Sequence, residues 1–300
     1  MEEQYDVVII GGSYAGMSAA MALGRSRRKV LIVDGGDPCN KPTPHSHNFL
    51  THDGATPSNI SAIAKDQVLQ YPTVHWHDGS AYDIMGQKDS FEVAIDGGKA
   101  VFARRVILAG GLKDVLPDIP GFKECWGKTI IHCPYCHGYE FKDQKTGILV
   151  PVKQAFDMVK LISNWTNDLK LFLIGNEPLD AAHLDEILDH GFQVISDSVV
   201  EAVHENGTLR HVILEDGSIE IMDALYARLP FEQKVSFVKT IGCAIMDSGH
   251  IEVDMFGKTT VEGIYAIGDC AHPMRSVATA VYTGNIAGAM LNKELIEENY

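Results

Sequence analysis

The stretch Gly11-Gly12-Ser13-Tyr14-Ala15-Gly16 lies between an apolar run, Tyr5 to Ile10, and a segment with small and apolar residues at helical spacing, Gly16 to Arg25. A glycine-rich turn between a strand and a helix presents backbone N–H groups at the helix N-terminus, where they bind a pyrophosphate. A second apolar run, Val30 to Val33, ends at Asp34, about 20 residues downstream, where a carboxylate accepts hydrogen bonds from a ribose. The order strand, turn, helix, strand and acid predicts a βαβ dinucleotide-binding unit.

One residue of the turn departs from the usual G-x-G-x-x-G pattern, because Ser13 stands where the middle glycine is expected. Serine is small and its hydroxyl can face a phosphate, so the change is compatible with ligand binding. The alternative interpretation is a tight structural turn without a ligand. We expect the cofactor contacts of this unit to come from Gly11, Gly12, Ser13, Ala15, Gly16 and Asp34.

A second βαβ-like pattern follows farther along the chain. It consists of a strand at Gly147 to Val150, a helix at Gln154 to Trp165 and a strand at Leu169 to Ile174. Two prolines and a glycine in Val115 to Gly121 mark a linker before it. Two such units predict an α/β protein with two Rossmann-like, three-layer nucleotide-binding domains.

The pattern in the last part of the chain predicts that the residues after about Gly242 belong to the first domain again. Gly263 to Asp269 is a strand that ends at a Gly-Asp turn, and Ser276 to Glu298 is a closing helix. We therefore divide the chain into residues 1–117 and 243–300, which form the first domain, and residues 118–242, which form the second.

Composition and charge restrict the partners of the protein. The 300 residues carry a formal net charge of -15, which argues against nucleic acid and anionic membranes as partners because both are negatively charged. No apolar run approaches the ~18 residues of a membrane span. The acidic, polar start Met1-Glu2-Glu3-Gln4 does not resemble a signal peptide, so a cytoplasmic location is expected.

Only two of the six cysteines, Cys133 and Cys136, stand at a spacing with chemical meaning. Structural disulfides are rare in the cytoplasm, so this CxxC is interpreted as catalytic or metal-binding. With His137 it is formally the CxxCH of haem attachment, and with His132 it offers four zinc ligands, although four ligands within six residues are cramped for a tetrahedral site. Cys39 and Cys270 are expected to be small buried thiols.

Several motifs resemble the FAD domain of low-molecular-weight thioredoxin reductases: Val106 to Gly111, the Pro117 to Gly121 linker, and Gly268-Asp269 followed by a helix. The resemblance covers nearly the whole chain and implies FAD as cofactor, a homodimer, and Asp269 near the ribityl and phosphate region. The stretch His47 to Leu50 with Asp53-Gly54 looks like a loop near the flavin ring. The further flavin contacts that the resemblance implies are Asn48, Ala109, Gly110, Gly268, Ser276, Val277 and Ala278.

The stretch Cys133-Pro134-Tyr135-Cys136-His137-Gly138-Tyr139-Glu140 resembles a subgroup that includes the dithiol oxidases of epidithio and dithiolopyrrolone biosynthesis. The resemblance implies that Cys136 faces the flavin and that Cys133 exchanges with substrate. His137 stands where thioredoxin reductases carry an aspartate. An imidazole that titrates around 6.5 can accept or donate the thiol proton near neutral pH, so general acid–base catalysis is assigned to His137.

The second βαβ unit lacks the expected nicotinamide fingerprint. The family has a GxGxxA turn here, whereas this chain reads Val150-Pro151-Val152-Lys153-Gln154-Ala155. β-Branched valines replace both glycines, and Pro151 has no N–H donor. Gly175 to Asp180 contains no arginine for a 2′-phosphate and carries two carboxylates. The sequence therefore disfavours NADPH as a cofactor. FAD is the one cofactor that we predict, and we assign no metal site.

These observations lead to a flavin disulfide oxidoreductase that passes electrons between FAD, the cysteine pair and a thioredoxin-like protein or small dithiol. A similar loss of the nicotinamide motif occurs in thioredoxin reductases fed by ferredoxin or flavodoxin, so either protein is a candidate partner. The alternatives are a dithiol oxidase that uses O2, an NADPH-dependent reductase with a non-standard site, and a flavin-binding sensor or scaffold without turnover. Retention of both cysteines and His137 argues against the last alternative.

Overall fold

The computed structural model describes residues 4–175 and 177–300. In chain order the strands are β1 (Gln4–Ile10), β2 (Val30–Asp34), β3 (Val74–Asp78), β4 (Ala81–Met85), β5 (Phe91–Ile95), β6 (Lys99–Leu108), β7 (Leu112–Asp114), β8 (Ile130–Ile131), β9 (Thr146–Pro151), β10 (Leu169–Ile174), β11 (Gln193–Ile195), β12 (Val199–Glu205), β13 (Thr208–Leu214), β14 (Ile219–Ile221), β15 (Ala224–Ala227), β16 (Phe231–Gln233) and β17 (Ile264–Ala266). The α-helices are α1 (Tyr14–Arg25), α2 (Pro57–Leu69), α3 (Phe122–Cys125), α4 (Pro134–His137), α5 (Val152–Ile162), α6 (Ala181–Asp189) and α7 (Val277–Glu297). Among the described residues, no helix has the length and apolar character needed to cross a membrane.

The chain forms two compact units. The first contains the residues up to Lys41, Pro57–Lys113 and Phe231–Tyr300, and the second contains Pro42–Thr56 and Asp114–Pro230. The divisions predicted from the sequence, after residues 117 and 242, come later in the chain than these. The difference arises because β7 and β16 pair with each other, so the chain changes unit at these strands and the prolines come after the change. The segment 42–56 was not separated from its neighbours by the sequence pattern.

The first unit is built on a seven-stranded sheet. Its order is β3-β2-β1-β6-β5-β4, with β17 pairing to β6. The strands β1, β2, β3, β6 and β17 run parallel, whereas β4 and β5 are antiparallel additions at one edge. Residues Val7 to Ile9 of β1 are fully buried, as expected for a strand covered on both faces. The parallel strands place the ends of β1, β6 and β17 at one edge of the sheet.

Helices α1 and α7 pack side by side in this unit. A Cβ atom at Gly284 of α7 would collide with the backbone oxygen of Ala15 in α1. Only glycine allows this approach, so Gly284 sets the distance between the two helices. The contact brings the first turn of α1 close to the body of α7.

The second unit has a five-stranded parallel sheet of order β11-β10-β9-β15-β8 and a separate antiparallel sheet, β12-β13-β14. The predicted strand at Leu169 to Ile174 is β10 with the same bounds. The helix expected from Gln154 begins two residues earlier, at Val152. The predicted α/β class with two Rossmann-like units is confirmed.

Candidate nucleotide-binding turn and redox disulfide

The predicted glycine-rich turn joins β1 to α1. Gly11 has φ 109°, a backbone conformation that residues with a Cβ rarely adopt. A Cβ at this position would also collide with the carbonyl oxygen of Ala109. Ser13 is the N-cap residue of α1, but its hydroxyl makes no capping hydrogen bond. The N–H groups of the first helical turn therefore remain available to an anion.

Asp34 ends β2 directly beside the turn. Its Oδ1 accepts a hydrogen bond from the Gly12 N–H over 2.8 Å. A carboxylate has several acceptor sites, so it can also accept hydrogen bonds from a ribose. Asp34 therefore lies beside the glycine-rich turn, where the order of motifs predicts the carboxylate that binds the ribose.

The other predicted contacts of the first unit cluster around the same edge of its sheet. The Ala109 N–H donates to the Ile10 carbonyl over 2.7 Å, which places Ala109 and Gly110 next to the turn. Gly268 follows β17, and its N–H donates to Thr283 Oγ1 of α7 over 3.1 Å. Ser276 caps α7 by accepting from the Thr279 N–H over 3.0 Å, so Val277 and Ala278 form the first helical turn. These groups fit a dinucleotide laid along the edge.

The thiols near this edge differ from each other. Cys270 is buried, and burial raises its pKa to about 12. Cys39 was expected to be buried as well, and this expectation is wrong because its side chain is exposed. The Cys39 Sγ lies 3.6 Å from Asp269 Oδ2, and Arg275 Nε lies 3.7 Å from the same oxygen.

The CxxC pair of the second unit is a disulfide. Cys133 and Cys136 are bonded with a Cα–Cα distance of 5.3 Å. Cys133 is the N-cap of α4, and Pro134 starts the helix, where the missing N–H of proline is not needed. The single turn brings positions i and i+3 to the same side. In this form the two sulfurs are bonded to each other and not available as metal ligands.

An aromatic side chain supports this short helix. The Tyr135 ring meets the Trp165 ring edge-on with centroids 5.7 Å apart. The Gly138 N–H donates to the Pro134 carbonyl over 2.7 Å and continues the turn. The geometry of the cysteine pair is therefore held by packing as well as by the covalent bond.

His137 follows the disulfide at the end of α4. Burial, followed by the nearby charge of His47, lowers the pKa of His137 from its ordinary value to about 4. The sequence-based expectation of titration near 6.5 is corrected by this burial. His137 is thus a neutral imidazole at neutral pH, a form that can accept a proton from a thiol.

Two acidic residues and a second histidine lie close together in the unit that carries the disulfide, and none of them was among the predicted catalytic residues. His47 Nε2 lies 3.5 Å from Glu140 Oε1, and His47 Nδ1 lies 3.7 Å from Asp53 Oδ1. Asn48 has φ 58°, and its N–H donates to Asp53 Oδ1 over 2.8 Å. All four residues belong to the second unit. A usable signal in the sequence was the carboxylate of Glu140, three positions after His137.

The second βαβ unit has no loop between its first strand and its helix. Strand β9 ends at Pro151, and α5 begins at Val152. Val150 is fully buried. In the first unit, by contrast, Gly11, Gly12 and Ser13 separate β1 from α1.

A glycine-rich turn at the end of a parallel strand, together with a CxxC disulfide on a second α/β unit, defines a dinucleotide-binding disulfide oxidoreductase. The chain belongs to the family described as pyridine nucleotide-disulphide oxidoreductase, whose model matches residues 5–154 and 169–284. Membership implies a flavin cofactor, FAD, and confirms the predicted enzyme class.

Similar proteins extend over almost the whole chain. Thioredoxin reductase sirT of Leptosphaeria maculans is 33% identical and covers 96% of this chain and 93% of its own length. The crystal structure of an oxidoreductase from Agrobacterium tumefaciens is 37% identical, with a TM-score of 0.92, and covers 98% of this chain and 99% of its own. A putative thioredoxin reductase, TrxB, from Bacillus anthracis is 31% identical, with a TM-score of 0.93, and covers 99% of this chain and 100% of its own. The predicted likeness to low-molecular-weight thioredoxin reductases is confirmed.

Proposed function

We propose that this chain is an FAD-dependent dithiol/disulfide oxidoreductase that works without NADPH. Its redox pair is Cys133–Cys136, and its partner is a thioredoxin-like protein or a small dithiol. The observation that carries the proposal is the direct junction of β9 and α5 at Pro151 and Val152. The first unit is then the FAD domain, and its glycine-rich turn at Gly11 to Gly16 binds the pyrophosphate of FAD.

The junction is unsuited to a nicotinamide dinucleotide for a physical reason. Pyrophosphate binding at a helix start uses free N–H groups and close approach of the backbone. Pro151 has no N–H, and the valines on both sides of it carry β-branched side chains. No glycine stands between the strand and the helix.

The next helix start in this unit is already occupied by a carboxylate. Asp180 caps α6, with its Oδ1 accepting from the N–H groups of Ala182 and His183 over 3.0 and 3.3 Å. A negative charge at this position repels a phosphate and takes up the N–H groups that would bind it. This local arrangement supports the proposal that the second unit does not bind NADPH.

The residues of the second unit suffice for thiol–disulfide exchange. A substrate thiolate attacks one sulfur of the pair, the Cys133–Cys136 bond breaks, and the other cysteine leaves as a thiolate. Neutral His137 accepts the proton of the incoming thiol and returns a proton in the reverse direction. When bound, FAD supplies the exchange of two electrons with the cysteine pair.

The direction of electron flow depends on the second partner of the flavin. Reduced ferredoxin or flavodoxin drives the reductase direction, whereas O2 drives the oxidation of a small dithiol. The oxidase is the second candidate, because an incoming dithiol must lose a proton before it attacks and neutral His137 offers it an unprotonated ring nitrogen, which burial makes a weaker base than a free imidazole. In both directions the same cysteine pair and histidine act.

An anaerobic stopped-flow experiment tests the proposal by following the flavin absorbance after mixing with NADPH, reduced ferredoxin or a dithiol. We expect no saturable bleaching with NADPH at sub-millimolar concentrations, a range that covers most ordinary enzyme affinities. A dithiol or reduced ferredoxin is expected to bleach the flavin, and dithionite serves as the control for complete reduction. Rapid bleaching at micromolar NADPH would overturn the proposal.

A further inference from the structure

The segment Pro42–Thr56 separates β2 from α2 in the chain but is part of the second unit. The loop closes on itself, with the Ser46 N–H donating to the Ala55 carbonyl over 2.8 Å and the Gly54 N–H donating to the Ser46 carbonyl over 2.9 Å. Pro42 at its start packs against Gly127, where a Cβ would come within 2.9 Å of the proline ring. The loop therefore has a defined conformation in the unit that carries the disulfide.

This loop presents His47 to two carboxylates. One ring nitrogen lies 3.7 Å from Asp53 of the same loop, and the other lies 3.5 Å from Glu140. A small side-chain movement brings two groups at these distances within hydrogen-bond range. A proton on His47 thus has an acceptor on either side of the ring.

The three side chains lead outward to solvent. The exposed fraction of the side chain rises from 22% for His47 to 37% for Glu140 and 71% for Asp53. His137 is half-buried, and the Glu140 N–H donates to its carbonyl oxygen over 3.2 Å, so that Glu140 lies next to His137 through its backbone and next to His47 through its carboxylate. These polar side chains therefore form a continuous series in space that leads from the segment carrying the disulfide to bulk water.

Two other ionisable groups that interact with Glu140 or His47, Tyr226 and His45, do not offer an equivalent route. The Tyr226 hydroxyl faces the charge of Glu140, but it is buried, which raises its pKa. The His45 ring centroid lies 6.4 Å from that of His47, and its Nδ1 contacts the Gly54 carbonyl over 3.0 Å. Tyr226 holds its proton too tightly to transfer it near neutral pH, and His45 is directed to the backbone of its own loop.

We propose that His47, positioned by Glu140 and Asp53, carries protons between His137 and solvent during thiol–disulfide exchange. The inference rests on the proposed function. It adds a path for the proton through His47, and it assigns to Glu140 and Asp53 the role of positioning His47. His47 acts through His137 and does not contact the reacting sulfurs in this scheme.

The step balances in atoms and charge. The substrate thiol gives its proton to His137, its sulfur bonds to one cysteine of the pair, and the other cysteine leaves with the electron pair as a thiolate. The proton then passes from His137 to His47 and on through Glu140 or Asp53 to water. The negative charge that remains on the leaving cysteine matches the proton released. In the opposite direction the same groups deliver the proton.

The test compares His47→Gln and Glu140→Gln with His45→Gln as the matched control in the same loop. The FAD-loaded full chain is mixed anaerobically with dithiothreitol, quenched in acid and alkylated, and the opening of the Cys133–Cys136 pair is followed by mass spectrometry. This readout follows the disulfide itself and does not require repeated turnover. We expect His47→Gln to slow opening about tenfold or more at low buffer concentration, because acid–base catalysis typically contributes 10²–10⁴-fold.

Added imidazole buffer distinguishes a proton path from a structural role. It is expected to restore the rate of His47→Gln and to leave His45→Gln and the parent protein unchanged. The double variant His47→Gln/Glu140→Gln is expected to be no slower than His47→Gln alone, because residues of one path are not additive.

Two results would overturn the proton path. One is equal rates for His47→Gln and His45→Gln at every buffer concentration. The other is a slow His47→Gln that imidazole does not rescue and whose thermal unfolding midpoint is lowered. Failure of the proposed function would look different, since the parent protein itself would then not exchange with dithiothreitol or would be bleached by micromolar NADPH.

Discussion

His137, which follows the disulfide, is one of the side chains that make the stability of the protein depend on pH in acid. Its pKa in the folded protein is about 4, below the ordinary value of 6.5, so the unfolded chain binds a proton that the folded chain does not between these two values. Stability is therefore lost as the pH falls from about 6.5 to 4, by at most about 3 kcal/mol for a shift of this size.

Replacing His137 with Asn removes this titration. We expect the His137→Asn variant to lose less stability than the parent protein between pH 7 and pH 4, as measured by urea unfolding midpoints. His52→Asn is the control, because it also removes one histidine, from the loop 42–56 of the same unit. Identical pH dependence in the parent and His137→Asn proteins would contradict the burial argument.

The two cysteines are predicted to have different roles, because one sulfur must reach the flavin while the other reaches substrate. Cys133→Ser is expected to leave Cys136 able to give a long-wavelength thiolate–flavin absorbance band. Cys136→Ser is expected to leave a Cys133 that is alkylated readily and gives no such band. Absorbance spectra of both variants, taken across a pH series, test the assignment, and a band in Cys136→Ser alone would reverse it.

At the scale of elements, the contact between α1 and α7 depends on Gly284. Alanine in a helix interior is ordinarily about 1 kcal/mol better than glycine. At Gly284 an added methyl group meets the backbone of Ala15, and overpacking of this kind typically costs about 1–3 kcal/mol.

We therefore expect Gly284→Ala to lower the thermal unfolding midpoint of the first unit and to weaken FAD binding, since Ala15 lies in the first turn of α1, at the predicted pyrophosphate site. Asn285→Ala is the matched control on the exposed side of the same helix, and it is expected to leave the midpoint unchanged or raise it slightly. Calorimetry of the two variants decides the point. An equal or higher midpoint for Gly284→Ala would show that the helices separate at little cost.

At the scale of the whole molecule, the protein has two units with separate buried cores. A ligand that binds only the folded form of one unit stabilises that unit by mass action. We expect calorimetry to show two transitions, of which added FAD raises one and leaves the other in place. The same preparation is expected to release FAD, and not FMN, on heating. An FMN peak, or equal shifts of both transitions, would contradict the assignment of the first unit.

Patterns that act over short distances in the chain were sufficient for the fold class. The spacing of apolar residues around Gly11 to Gly16 defines β1, α1 and β2, because a strand, a tight turn and a helix each depend on neighbouring residues. The same holds for β9, α5 and β10, and for the CxxC, whose sulfurs meet within one helical turn. Helix and strand bounds differed from expectation only near their ends.

Only the tertiary structure determined which distant residues belong together. The chain places His47 and Asp53 far from Glu140, and their proximity follows from the packing of the loop 42–56 in the second unit. The lowered pKa of His137 likewise follows from burial, a property that its neighbours in sequence do not reveal. Sequence periodicity reports which face of an element is apolar, whereas the environment of a polar side chain depends on the elements that pack around it.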